Sequence, residues 1–165
     1  MKVINIHKRT INQPKAEITA LFKTLATKND KILATDKWFA MKLDNGKKKG
    51  SKGGHGPIRY TVQKYIEDQF IQFEFTKPNG FNGIHKFEIT ELTKNKTELK
   101  HTIDMHTTGT GVFAWAIAIH WLHDAYIEDA FDKVENYFLS KKKKTEWSIW
   151  VKILRQVLKP RKKRN

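Results

Sequence analysis

Hydrophobic and polar positions alternate through the middle of the chain, then change to a helical spacing near residue 110. Ile71, Phe73 and Phe75, then His85, Phe87 and Ile89, then Leu99, His101, Ile103 and Met105 fall on one side of successive runs. Gln72, Glu74, Lys86, Glu88, Glu98, Lys100 and Asp104 fall on the other. A period of two with one apolar face predicts antiparallel strands, buried on one side and wet on the other. The runs span residues 58–66, 69–76, 81–92 and 96–106. Only short turn segments separate them, which predicts neighbouring hairpins.

The flanking segments complete the pattern. Val3, Ile4 and Ile6 sit in a β-favouring run over 2–12, and Pro14 suits the first turn of a helix. Ile18, Leu21, Phe22 and Leu25 recur at helical spacing through Thr27, and Asp30 is placed to cap a second short helix over 31–35. Residues 47–57 carry Gly50, Gly53, Gly54 and Gly56, which predicts a mobile loop with a solvated His55. That loop lacks the Gly-Lys-Ser/Thr order of a phosphate loop, and a strand follows it. From 112 to 139 the spacing predicts one long helix, with Phe113, Ile117, Ile127, Phe131, Val134 and Phe138 on a stripe against the sheet. Trp147, Trp150, Val151, Leu154, Val157 and Leu158 repeat in a last amphipathic helix that Pro160 ends.

Charge separates this last segment from the rest. The chain of 165 residues carries a formal charge of +15. Eleven of its 32 Lys and Arg residues, against one acid, Glu146, lie in 141–165. The expected division is a domain over 1–140 and a basic amphipathic extension over 141–165. Charge alone permits weak, salt-sensitive nucleic-acid binding, but the sheet's aromatics face inward and its wet face is mixed in sign, which disfavours a nucleic-acid partner. The Trp/Leu face of the extension either packs back on the domain or, through Trp147, Trp150, Leu154, Lys152 and Arg155, suits contact with an anionic membrane surface or a partner. With no cysteine there is no disulfide framework or thiolate nucleophile. No secretory signal is visible at the N-terminus, which leads to the expectation of a cytoplasmic protein, peripheral at the inner membrane surface if the extension docks there.

A strand, two helices, a run of antiparallel strands and a long C-terminal helix is the order of the START and polyketide-cyclase-like (SRPBCC) superfamily. The string Gly53-Gly54-His55-Gly56-Pro57-Ile58-Arg59-Tyr60 resembles an uncharacterised bacterial branch of it. So do Phe75, Pro78, Gly80, Phe81, Gly83, His85 and Phe87, and the later Leu122-His123-Asp124-Ala125 with Glu128-Asp129-Ala130. The resemblance covers residues 1–140. It implies an α+β helix-grip fold, a curved antiparallel sheet wrapped around the long helix with an apolar ligand cavity between them. The extra basic helix stands outside that common fold.

On that expectation the cavity wall draws on Arg59 or Tyr60, Phe73, Phe75, His85, Phe87, His101, Ile103 and Met105 from the strands, and on Phe113, Ile117, His120, Asp124 and Ile127 from the helix. His120 and Asp124 are four apart and fall within ~20° of Phe131, so they are expected on the apolar stripe. A buried acid and histidine are costly unless paired. They are either a satisfied core pair, ligand contacts, or an acid–base pair with His120 catalytic and Asp124 fixing its tautomer. A metal site from His120, His123 and Asp124 is set aside because His123 is turned ~60° or more from the stripe. The expected function is binding of a small hydrophobic molecule or lipid, with no cofactor. The alternatives are a cyclase- or isomerase-like enzyme using His120 and Asp124, and a membrane-surface or partner-binding module acting through the extension.

Overall fold

The protein is described from a computed structural model over residues 1–158. Pro160 and the basic run Arg161-Lys162-Lys163-Arg164 lie outside the described residues. The elements in order are β1 (Lys2–Ile11), α1 (Lys15–Phe22), β2 (Lys42–Leu43), β3 (Lys52–His55), β4 (Ile58–Ile66), β5 (Phe70–Lys77), β6 (Phe81–Thr93) and β7 (Lys96–Thr107). Then α2 (Thr110–Ala114), a π turn (Trp115–Ile119) and α3 (His120–Phe138) follow one another without a break, before α4 (Ile149–Leu158).

The seven strands form one antiparallel sheet in the order β1-β7-β6-β5-β4-β3-β2. The first strand therefore closes one edge beside the last, with the β6–β7 hairpin next to it and β5 in the middle. The alternation in the sequence is the alternation in space: Ile71, Phe73, Phe87, Leu99, Ile103 and Met105 are all buried. Ile127, Ala130, Phe131 and Val134 of α3 and Ile18, Leu21 and Phe22 of α1 close the same core. Each large side chain so buried contributes ~1.5–3 kcal/mol. This is the helix-grip architecture.

Glycine sets one joint between sheet and helix. Gly80, at φ +89°, lies in the β5–β6 turn, and a Cβ there would stand 2.2 Å from the Thr108 carbonyl oxygen. The Gly80 carbonyl accepts from the Thr108 N–H at 2.9 Å, so turn and helix entry touch backbone to backbone.

Four local expectations are corrected. α1 stops at Phe22 rather than Thr27, because the chain turns at Thr24, whose hydroxyl bonds Leu21 O, and passes Ala26 at φ 62°. No helix forms over 31–35; Asp30 still accepts from Ile32 N and Leu33 N, but closes a turn rather than a helix. Four residues of the glycine-rich segment form a strand, β3. Cβ atoms at Gly53 and Gly54 would lie 2.0 Å from the carbonyls of Lys42 and Ile58, so glycine allows the neighbouring backbones to approach. The long helix contains a π turn, which rotates the residues before it out of register with α3.

Candidate functional site

Between the inner face of the sheet and the helix lies a cavity of about 2030 Å³. That exceeds the ~300–1,000 Å³ usual for small-molecule sites. Its floor is Tyr60, Phe75, Phe81, Phe87 and Ile103, and its roof is Trp115, Ala118, Ile119, Leu122, Tyr126 and Ile127. Trp38, Phe39, Met41 and Leu43 form a third side. Lys42, Lys52, Arg59 and Lys77 line it and are exposed, against the exposed acids Asp36 and Asp44, so the rim of the mouth is basic on balance.

A row of aromatic rings crosses this interior. His85 stacks on Phe73 at 4.6 Å and on Phe75 at 4.9 Å, His101 lies 5.6 Å from His85, and His123 lies 4.9 Å from His101. The strand register explains the first pair: His85 and His101 sit on β6 and β7, opposite Ile103 and Phe87 respectively. Burial and the neighbouring histidines hold His85 and His101 well below the ordinary imidazole range, so both are neutral. Burial also lowers His123. His85 Nε2, His101 Nδ1 and Tyr126 Oη are buried without a hydrogen-bond partner. These are the polar groups the interior offers to a ligand.

His55 is not solvated as expected. It stacks on Tyr126 at 4.9 Å, with Nδ1 3.1 Å from Tyr60 Oη, and burial pushes its pKa down to about 4. The glycine-rich hairpin thus delivers a neutral imidazole to the cavity wall.

The structure divides the expected site residues. Arg59, Tyr60, Phe75, His85, Phe87, His101, Ile103 and Ile127 line the cavity. Phe73 and Met105 are core residues, buried at its back. Phe113 and Ile117 are exposed, at 69% and 55%, because the π turn swings them to the outer side. His120 and Asp124 do not line the cavity. They lie on the margin of α3, each about one-third exposed, with His120 Nε2 3.1 Å from Asp124 Oδ2. The true centre of the buried stripe runs through His123, Ile127, Ala130 and Val134, roughly 40–100° to one side of Phe131. Taking Phe131 as the centre turned His123 outward and His120 with Asp124 inward, the reverse of what is found.

Asp124 faces β1. Asn5 Nδ2 donates to its Oδ1 at 3.0 Å and His7 Nε2 stands 3.1 Å from the same atom. His7 Nδ1 meets Glu128 Oε1 at 2.8 Å. Arg9 reaches Glu128 at 2.8 Å, Asp132 at 3.1 Å and Glu135 at 2.7 Å. Alternate residues of a strand advance ~6.7 Å and i, i+4 residues of a helix ~6 Å, so the two series stay in step. Burial opposes the charge on His7, but hydrogen bonds to Asp124 and Glu128 outweigh it and raise the pKa to about 9. Asp124 is held well below the usual carboxylate range: burial opposes this, and the close approach of His123 with the hydrogen bond from His7 outweighs it. Sequence reasoning missed this ladder. The visible signal was a polar alternation, Asn5, His7 and Arg9, between buried Val3 and Ile11, matched by Asp124, Glu128 and Asp132 on the helix.

The C-terminal extension closes the remaining side. Asp129, with a fully buried side chain, accepts from Lys37 Nζ at 2.6 Å, Trp38 Nε1 at 2.7 Å and Trp147 Nε1 at 2.8 Å. Arg155 lies between the Trp38 and Trp147 rings, 4.1 Å from each, and lines the cavity. Val151 is buried, Leu154 half-buried and Lys152 exposed. Among the described residues no helix is long and apolar enough to cross a membrane.

No protein-family model matches the chain. No curated protein matches it. Solved structures do. Norcoclaurine synthase from Thalictrum flavum, in complex with dopamine and hydroxybenzaldehyde, superimposes with a TM-score of 0.62 at 13% identity, over 86% of this chain and 90% of that one. A protein from Nitrosospira multiformis gives 0.64 at 12% identity, over 84% and 97%. Ara h 8.0201 gives 0.58 at 16% identity, over 86% and 100%. At these identities the likeness establishes the helix-grip fold.

Proposed function

We propose that this helix-grip chain holds an apolar molecule with an acidic head group, of the fatty-acid or lipid class, in the space between sheet and helix. The carrying observation is a cavity of about 2030 Å³ with an aromatic and aliphatic lining and a rim that is basic on balance, with Lys42, Lys52, Arg59 and Lys77 against Asp36 and Asp44. Neutral His85, His101 and Tyr126 inside it suit a hydroxyl or carbonyl on the ligand body and disfavour a buried charge, so the acid belongs at the mouth. The likeness to a synthase that binds two small aromatic molecules supports a ligand cavity in this fold; it does not choose the ligand. The acid–base alternative has less support, because neither His120 nor Asp124 lines the cavity and Asp124 bonds Asn5 of β1 instead.

The test is native mass spectrometry and solvent extraction of the purified protein, followed by titration with a fluorescent fatty acid and with its methyl ester. Saturable binding of the acid, at least tenfold tighter than the ester, is expected. Failure of the acid to bind, or equal affinity for both, rejects the proposal.

A second reading rests on a separate observation. Phe113, Ile117, Trp121, Trp150 and Ile153 are all exposed, and Trp150 Nε1 donates to Ile117 O at 2.9 Å, which brings the two helical segments side by side. Lys141, Lys142, Lys143 and Lys144 stand next to them in sequence, all exposed. An apolar face flanked by lysines suits an anionic bilayer surface, from which a lipid would be loaded. Pelleting with phosphatidylserine vesicles should fall several-fold for Trp150→Ala with Phe113→Ala. Pelleting equal to the unmodified chain rejects this reading.

A further inference from the structure

We propose that His7, His123 and Asp124 form a binding site for one divalent transition-metal ion, on the wall that α3 shares with β1. Each residue supplies one ligand atom, and the three atoms lie within 4.8 Å of one another. His7 Nε2 is 3.1 Å and His123 Nδ1 3.5 Å from Asp124 Oδ1. A tetrahedral ion with bonds of ~2.0–2.1 Å holds neighbouring ligand atoms ~3.4 Å apart. Two of the three edges therefore already have the length that metal binding requires.

The surroundings favour an ion at this point. Both ring nitrogens of His123 are buried and have no hydrogen-bond partner. The imidazole is thus aimed at a carboxylate it does not quite reach, and a metal between them would satisfy it. On the far side of His7, Nδ1 is bonded to Glu128 Oε1 at 2.8 Å, and Glu128 Oε2 is held by Arg9 Nη2 at 2.8 Å. A carboxylate behind a ligating histidine fixes the ring and directs its other nitrogen at the metal. His120 Nε2 and Asn5 Nδ2 contact the Asp124 carboxylate and orient it.

The donor set also selects the class of ion. Two imidazoles and one carboxylate suit zinc, cobalt, nickel or ferrous iron and are poor for magnesium or calcium, which take oxygen shells. The ligands come from both ends of the chain, 117 residues apart for His7 and Asp124. An ion would therefore clip the edge strand to the long helix. His123 also lines the cavity, so the ion would stand at the cavity wall. The idea is independent of the proposed ligand: either can fail while the other stands.

The experiment uses untagged full-length protein titrated with Co²⁺, followed by visible d–d absorption and then by Zn²⁺ displacement. One equivalent of Co²⁺ is expected, giving a band that Zn²⁺ abolishes, with a metal-dependent rise in Tm. His123→Ala should abolish the band and the Tm rise. Asp124→Asn should weaken Co²⁺ binding at least tenfold, and His106→Ala, at an exposed position, should leave it unchanged. Far-UV circular dichroism checks each fold, and His7→Gln decides the matter if His123→Ala does not fold. Absence of saturable binding at one equivalent, or retention of the band in the folded ligand variants, overturns the proposal.

Discussion

His7 on β1 and Glu128 on α3 meet Nδ1 to Oε1 at 2.8 Å, while the other ring nitrogen of His7 reaches Asp124. One imidazole thus spans two carboxylates a helical turn apart, and Arg9 repeats the arrangement one rung further along. This ladder fixes the edge strand to the helix and thereby the depth of the cavity between helix and sheet.

The ladder makes stability depend on pH in a definite direction. The His7 pKa of about 9 in the folded chain lies above its ordinary 6.5. Its contribution is complete below 6.5 and disappears as pH rises through about 9. The partners are about one-third exposed, so solvent screening limits the effect to about 1–2 kcal/mol. In urea denaturation between pH 6 and pH 10, His7→Gln should be destabilised at pH 6 and nearly equal to the unmodified chain at pH 10. A constant difference across that range would contradict the ionic account.

Arg9 is the most heavily engaged cation of the ladder. Its guanidinium contacts Glu128, Asp132 and Glu135, and the Asp132 side chain is only 6% exposed. Arg9→Met keeps the stem but strands that carboxylate, which should cost about 2–4 kcal/mol in thermal or chemical denaturation. The double change Arg9→Met with Asp132→Asn should recover part of the loss, because the stranded charge is gone.

Asp129 latches the C-terminal extension. Two indole N–H groups and the Lys37 ammonium converge on a carboxylate with no exposed side-chain surface. Asp129→Ala leaves those donors unpaired and should cost about 2–4 kcal/mol. It should also raise the rate of tryptic cleavage at Lys141–Lys144 and shift the tryptophan emission to the red. Unchanged proteolysis would mean that the extension is held by apolar packing alone.

The cavity can be filled from the roof. Ile119 lines it and is half-buried. Ile119→Trp should lower the affinity for the fluorescent fatty acid at least tenfold with Tm within a few degrees of the parent. Unaltered affinity would place that ligand elsewhere on the molecule.

The sequence by itself determined the first strand, the four strands between residues 58 and 107, the long helix, and the faces of those strands. Pleating sends alternate side chains to opposite sides whatever the neighbours are, so the inward line through His85, Phe87, His101 and Ile103 could be read from spacing alone. The length of the C-terminal rod followed in the same way from its unbroken periodicity. What the tertiary structure decided was the rotation of that rod. A stripe centred on small Ala130 is invisible to hydrophobic spacing, and its effect is to exchange His123 for His120 and Asp124 at the cavity wall, while the π turn sends Phe113 and Ile117 outward. The partners of Asp124 were likewise out of reach, since Asn5 and His7 lie more than a hundred residues away and meet it only because β1 pairs with β7 at the sheet edge. Local spacing reports the period of a segment. Which neighbour a face meets depends on long-range pairing, and in this chain that pairing determines the chemistry.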